Sequence, residues 1–77
     1  MSAQVNIYVR LLDEGTSVYR PVLAQNLGKG LFQIISKNSD DEVWEFETGS
    51  IVIGEPQYLS KELKVVAVRL ANNKTLT

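Results

Sequence analysis

The chain has 77 residues, of which 44% are hydrophobic and 22% charged, and its formal net charge is −1. This composition predicts one small globular domain over residues 1–77, and it lacks the excess of basic residues that non-specific nucleic-acid binding requires. The chain contains no His and no Cys, so the usual general base, thiol nucleophile and zinc ligands are absent, and we expect no enzymatic activity, no metal and no cofactor.

Two alternating segments predict the first two strands. In residues 5–12 apolar side chains occupy every second position, which is typical of a half-buried strand. The turn-forming residues 13–16 end that strand, and residues 17–27 predict a second, longer one. Because Pro21 cannot donate a ladder hydrogen bond, it indicates an edge, a bulge or a bend, and we expect the strand to bend there.

The middle of the chain predicts a hairpin and two further strands. Gly28-Lys29-Gly30 is a hairpin turn that leads into a third strand over residues 31–37. A fourth strand over residues 43–47 places Trp44 and Phe46 on its buried face. Residues 48–50 break the chain again, and residues 51–53 are expected to form a short strand or a tight turn.

The last third of the sequence contains one further strand. Residues 55–57, which include Pro56, are expected to separate it from the preceding elements, and residues 58–63 to form a single helical turn. Residues 63–70 contain a continuous apolar run from Val65 to Val68, which predicts a strand buried on both faces. Residues 1–4 and 71–77 are expected to be frayed.

Five to six short antiparallel strands, separated by Gly and Pro, predict an all-β fold. A small SH3-like barrel or roll fits the length best. The alternative is an open antiparallel sheet that dimerisation completes.

Three motifs run through this pattern: Tyr19-Arg20-Pro21-Val22-x-Ala24, Gly30-x-Phe32-x-Ile34 and Trp44-x-Phe46-x-x-Gly49-Ser50-x-Val52. Together they resemble a group of small bacterial proteins of uncharacterised function, some of which travel as integron gene cassettes. The resemblance covers about residues 5–55 and implies a compact β domain without a catalytic residue. Thr48 stands where that pattern has a proline, so the resemblance does not define this turn.

The candidate contact residues are aromatic and basic side chains on open strand faces. We predict that Tyr8, Tyr19 and Arg20 contact a partner. Trp44 belongs to the predicted core, but one edge of its ring can line a groove, because Trp is rarely buried completely. Five acidic residues of the middle segment are expected to be solvated, namely Asp40, Asp41, Glu42, Glu45 and Glu47, and Glu55 adds to the negative charge of this segment.

These observations favour a non-enzymatic interaction module that self-associates through its C-terminal strand. Val66 and Val68 are the predicted subunit contacts, and a homo-oligomer with an additional protein partner is expected. The same strand could instead close its own barrel. Further alternatives are a nucleic-acid-binding regulator, which the acidic middle disfavours, and a small-molecule site at a subunit interface. The sequence shows no signal peptide and no membrane-spanning run, so we expect a cytoplasmic protein without a membrane partner.

Overall fold

The structure is a computed structural model that describes residues 3–12, 18–38 and 41–71. Its five strands are β1 (Ala3–Arg10), β2 (Tyr19–Gly28), β3 (Leu31–Ile34), β4 (Ile51–Leu59) and β5 (Glu62–Leu70). Each strand pairs with the next in antiparallel orientation, and β1 pairs with β5 in parallel orientation to close the barrel. Because the number of strands is odd, the first and last strands run in the same direction. The all-β prediction of a small SH3-like barrel is confirmed.

The core is built from the alternate residues of the strands. Side chains that point inwards from all five strands are buried, together with two aromatic side chains of the segment that precedes β4. Its main cluster comprises Ile7, Val9, Leu11, Val22, Ala24, Phe32, Ile34, Trp44, Phe46, Val52 and Ala67. The predicted inward face of β1 and the predicted burial of Trp44 and Phe46 are therefore confirmed. Within the described residues no helix is long and apolar enough to cross a membrane.

Pro21 lies inside a regular part of the β1–β2 ladder. The Leu11 amide donates to the Val18 carbonyl at 2.8 Å, so every second opposed pair along the ladder is hydrogen-bonded, and the pair of Pro21 with Tyr8 lies between two of them. The Pro21 nitrogen therefore faces away from β1. It lies on the opposite edge of β2, at a position that β3 does not pair with. Pro21 therefore marks an open edge of β2, one of the three predicted alternatives, and the register shift between β2 and β3 falls at Leu27.

The third and fourth predicted strands are shorter than the alternation suggests. β3 ends at Ile34, because the amides of Ile35 and Ser36 both donate to the Leu23 carbonyl and turn the chain away from the ladder. Residues 43–47 form only an isolated bridge, between Leu11 and Trp44. Since β5 pairs with the same edge of β1, little of that edge remains for this segment.

The structure corrects the sequence prediction most strongly in β4. The expected break at residues 55–57 and the expected helical turn at residues 58–63 are both wrong, because β4 continues to Leu59 and β5 begins at Glu62. The two strands are joined by Ser60 and Lys61, whose φ angles of 53° and 70° are those of a two-residue hairpin turn. At the other end of β5, the Ala71 amide donates to the Ile51 carbonyl at 2.9 Å. Part of the segment expected to be frayed is therefore ordered, and residues 3 and 4 likewise belong to β1.

β5 contains a bulge at Val68. Ile53 opposes Arg69 and Gly54 opposes Ala67, so Val68 has no opposed partner. Val66 and Ala67 are consecutive and both buried, which agrees with the predicted burial on both faces. β5 closes the barrel of its own chain, as the second sequence-based interpretation proposed, and the open-sheet alternative is excluded.

Candidate interaction site

β4 and β5 extend beyond the barrel as a two-stranded arm, residues 55–65. β3 pairs with β4 only as far as Ile53, and the one opposed pair of β5 with β1 involves Val66. The face of the arm that continues the core carries Tyr58 and Leu63, which are direct cross-strand partners. Their side chains are 76% and 59% exposed. The arm thus presents apolar surface that the barrel does not cover.

A groove of about 600 Å³ lies between the arm and the outer face of the first two strands. We call it the tyrosine groove, and its lining residues are Tyr8, Val18, Tyr19, Gln57, Tyr58, Leu59 and Ser60. The register places Tyr8 opposite Pro21 and Tyr19 opposite Arg10, so the two tyrosines are diagonal neighbours on one face. The third tyrosine, Tyr58, belongs to β4 in the arm. All three tyrosines of the chain therefore meet at this groove.

Two charged side chains, those of Lys64 and Glu62, lie beside Tyr8. The Lys64 ammonium lies 5.7 Å from the centroid of the Tyr8 ring, within the range of a cation–π interaction. On its other side Lys64 bonds the Glu62 carboxylate at 2.9 Å. The hydrogen bond to Glu62 raises the pKa of Lys64, and the same bond lowers the pKa of Glu62. Both groups therefore stay charged at neutral pH, and Lys64 remains beside Tyr8.

Arg20 belongs to a different arrangement. Its Nε donates to Oε1 of Glu42 at 2.9 Å and its Nη2 donates to Oε2, so the two groups form a bidentate pair. The indole N–H of Trp44 donates to the same Oε1 at 3.1 Å. These bonds, led by the one from Arg20, hold the pKa of Glu42 below its ordinary value of 4.5. Arg20 thus fixes the segment that carries Trp44 against the barrel.

Trp44 also lines a second concavity of about 480 Å³, the tryptophan cleft, with Asn38, Glu42, Val43, Glu47 and Thr48. Trp44 itself is 8% exposed, so only an edge of the ring reaches the surface, as the sequence suggested. Two carboxylates make this cleft acidic. Among the described residues no group of three or more Asp or Glu could hold a metal ion. The predicted solvation of Asp40 lies outside the described residues. The predicted solvation of Glu42 is wrong, because its side chain is 17% exposed and its carboxylate accepts hydrogen bonds from Arg20 and Trp44.

The predicted contact residues separate into three places. Tyr8 and Tyr19 share the tyrosine groove, whereas Arg20 and Trp44 meet at Glu42. The two residues assigned to a subunit contact lie on β5, where Val66 is 3% exposed and Val68 is half-buried. Val66 therefore offers almost no surface to a second copy while its own barrel is closed.

Five of the groove residues are not among the contacts predicted from the sequence, namely Val18, Gln57, Tyr58, Leu59 and Ser60. The one signal that could have found the arm strand is the alternation of polar and apolar residues from Glu55 to Tyr58, which Pro56 conceals. No family model, curated protein or solved structure matches the chain.

Proposed function

We propose that the protein is a non-enzymatic interaction module that binds a peptide segment of a partner protein in the tyrosine groove. The observation that carries this proposal is the convergence of Tyr8, Tyr19 and Tyr58 from three different strands on one concave surface. Tyrosine is enriched at protein interfaces because its ring provides large apolar contact area and its hydroxyl a hydrogen bond. A rigid strand scaffold keeps such rings in place before the partner arrives.

The tyrosine groove is a better binding surface than the tryptophan cleft. In the cleft, the carboxylate of Glu42 already accepts hydrogen bonds from Arg20 and Trp44, so a ligand would have to compete with them. In the groove, Tyr58 is 76% exposed, and its ring is available for contact. Moreover, the described residues that line the groove are uncharged, and the Lys64 ammonium beside the Tyr8 ring is paired with Glu62, which favours a peptide over the phosphate backbone of a nucleic acid.

The test is a selection of a random peptide library on the wild-type protein, followed by affinity measurement on variants. We expect the selected peptides to lose at least about tenfold in affinity for Tyr58→Ala and Tyr19→Ala, since truncation of a hot-spot tyrosine costs about 2 kcal/mol or more and about 1.4 kcal/mol corresponds to tenfold. Leu27→Ala is the matched control, because Leu27 is also an exposed apolar residue but lies outside the groove. Selected peptides that bind all three variants like the wild type would refute the proposal.

Self-association is a second proposed function, and the exposure of two apolar residues of β5 favours it. Leu63 is 59% and Leu70 is 54% exposed, at opposite ends of the strand. Burial of such side chains against a second copy would stabilise a small core. Sedimentation over a concentration series should show a dimer that Leu63→Ser or Leu70→Ser weakens and that Leu27→Ser leaves unchanged. A wild-type protein that stays monomeric throughout the series would contradict this proposal.

A further inference from the structure

We propose that the segment bound in the tyrosine groove is proline-rich and adopts the polyproline II conformation, an inference that rests on the proposed function above. The first argument is the chemistry of the lining. Three phenol rings, two aliphatic side chains, one amide and one hydroxyl line the groove. None of these lining groups is charged, and the Lys64 ammonium beside Tyr8 is paired with Glu62. Flat, uncharged aromatic surfaces suit the rings of proline, and Pro-rich segments elsewhere dock in aromatic-lined grooves.

The second argument is that the strand edges beside the groove are unsuited to main-chain pairing. Leu59 and Glu62 flank the two-residue turn and form a hydrogen-bonded pair, so Pro56, opposite Val65, lies at a position without ladder bonds to β5. Its nitrogen therefore faces the open side of β4, just as the nitrogen of Pro21 faces the open side of β2.

Both prolines remove a donor that an added strand would need. A ligand that binds as an extra β-strand would meet a missing hydrogen bond at each of these edges. A polyproline II segment does not have this requirement, because it binds through its side chains and its carbonyl groups.

The third argument is the match between donors and acceptors. The groove offers hydroxyl groups from its tyrosines and from Ser60, and an amide N–H from Gln57. A polyproline II segment has no internal hydrogen bonds, and its prolines present carbonyl acceptors without N–H donors. The polar groups of the groove and of the ligand are therefore complementary, while the rings pack against each other.

The test is a titration of isotope-labelled protein with a capped oligoproline of about nine residues, which spans about 28 Å at 3.1 Å per residue. We expect amide shift changes confined to residues around the groove, on β1, β2 and the arm. Tyr58→Ala should weaken binding at least about tenfold, whereas Tyr58→Phe, which keeps the ring and loses only the hydroxyl, should weaken it by a smaller factor. A capped Gly/Ser peptide of equal length is the control ligand.

The outcomes separate this inference from the proposed function. If oligoproline leaves the groove unperturbed while proline-free peptides from the library bind there, the inference is wrong and the proposed function stands. Absence of binding by either kind of peptide at the groove contradicts both. Shift changes at the tryptophan cleft, or equal binding by the Gly/Ser control, also overturn the inference.

Discussion

Gly54 lies where the barrel ends and the arm begins, and replacing it with Ala tests the packing at that point. An added Cβ would lie 2.7 Å from Cε1 of Phe32 and 2.8 Å from Cγ1 of Val65, both too close for carbon atoms. Phe32 is a buried member of the core, so its ring cannot retreat freely. Inserting a methyl group into a packed core costs about 1–3 kcal/mol. Replacing Gly with Ala also lowers the conformational entropy of the unfolded chain, which offsets about 0.4–1 kcal/mol of that cost.

We therefore expect Gly54→Ala to lower the free energy of unfolding by about 1–2 kcal/mol, which corresponds to a Tm about 5–15 °C lower in a domain of this size. Thermal and urea unfolding followed by circular dichroism measure both quantities. Gly49→Ala is the control, because Gly49 has a φ of 90° and no atom within 4 Å of an added Cβ, so its penalty reflects backbone conformation alone.

A double-mutant cycle identifies the cause of the penalty. In a Phe32→Leu background the penalty of Gly54→Ala should fall by about 1 kcal/mol, since neighbouring sites couple, whereas the penalty of Gly49→Ala should be unchanged. If Gly54→Ala is neutral, or if its penalty is the same in both backgrounds, the close packing of Phe32 over Gly54 is wrong.

Three further predictions concern the turn, an ion pair and a strand edge. Lys61 has a φ of 70° in the arm turn, so Lys61→Gly should raise the urea midpoint through a gain of about 0.5–1 kcal/mol, and a lower midpoint would contradict the turn geometry. Because Arg20, and then Trp44, lower the pKa of folded Glu42, the stabilisation is fully present above the ordinary value of 4.5 and is lost as pH falls through the lowered pKa. The urea midpoint of the wild type should therefore fall more steeply below pH 4.5 than that of Glu42→Gln, and parallel curves would refute the ion pair. Pro56→Thr restores a donor on an open edge, so light scattering should detect more self-association than in the wild type, and unchanged scattering would argue against the orientation of this proline.

The faces of the strands could be predicted from the sequence because alternation is a local property. Ile7 and Val9 are buried in β1, and Trp44 and Phe46 are buried in the segment before β4. Their alternation can be read from the sequence without knowing which strands pair with these segments. Whether a segment becomes a full strand is not local. Residues 43–47 form only a bridge because β5, which is distant in sequence, pairs with the same edge of β1.

The candidate site could be predicted only in part, for a related reason. Tyr8 and Tyr19 follow from their positions on open faces, but Tyr58 required the course of β4 to be known. A proline usually interrupts a strand, and Pro56 does not, because its nitrogen faces the open edge, which depends on the register with β5. The arm turn also has no glycine, although both of its residues adopt a positive φ, so composition alone does not indicate it.

The parallel closure between β1 and β5 has a consequence for the order of folding. The β1–β2 and β4–β5 ladders join strands that are adjacent in sequence, whereas the pair of Tyr8 with Val66 joins residues near the two ends of the chain. Because loop-closure entropy grows with sequence separation, we expect that contact to form last. The tyrosine groove combines side chains from both sides of this closure, so on this reasoning it is complete only after the last folding step. A partially folded chain would therefore lack the groove.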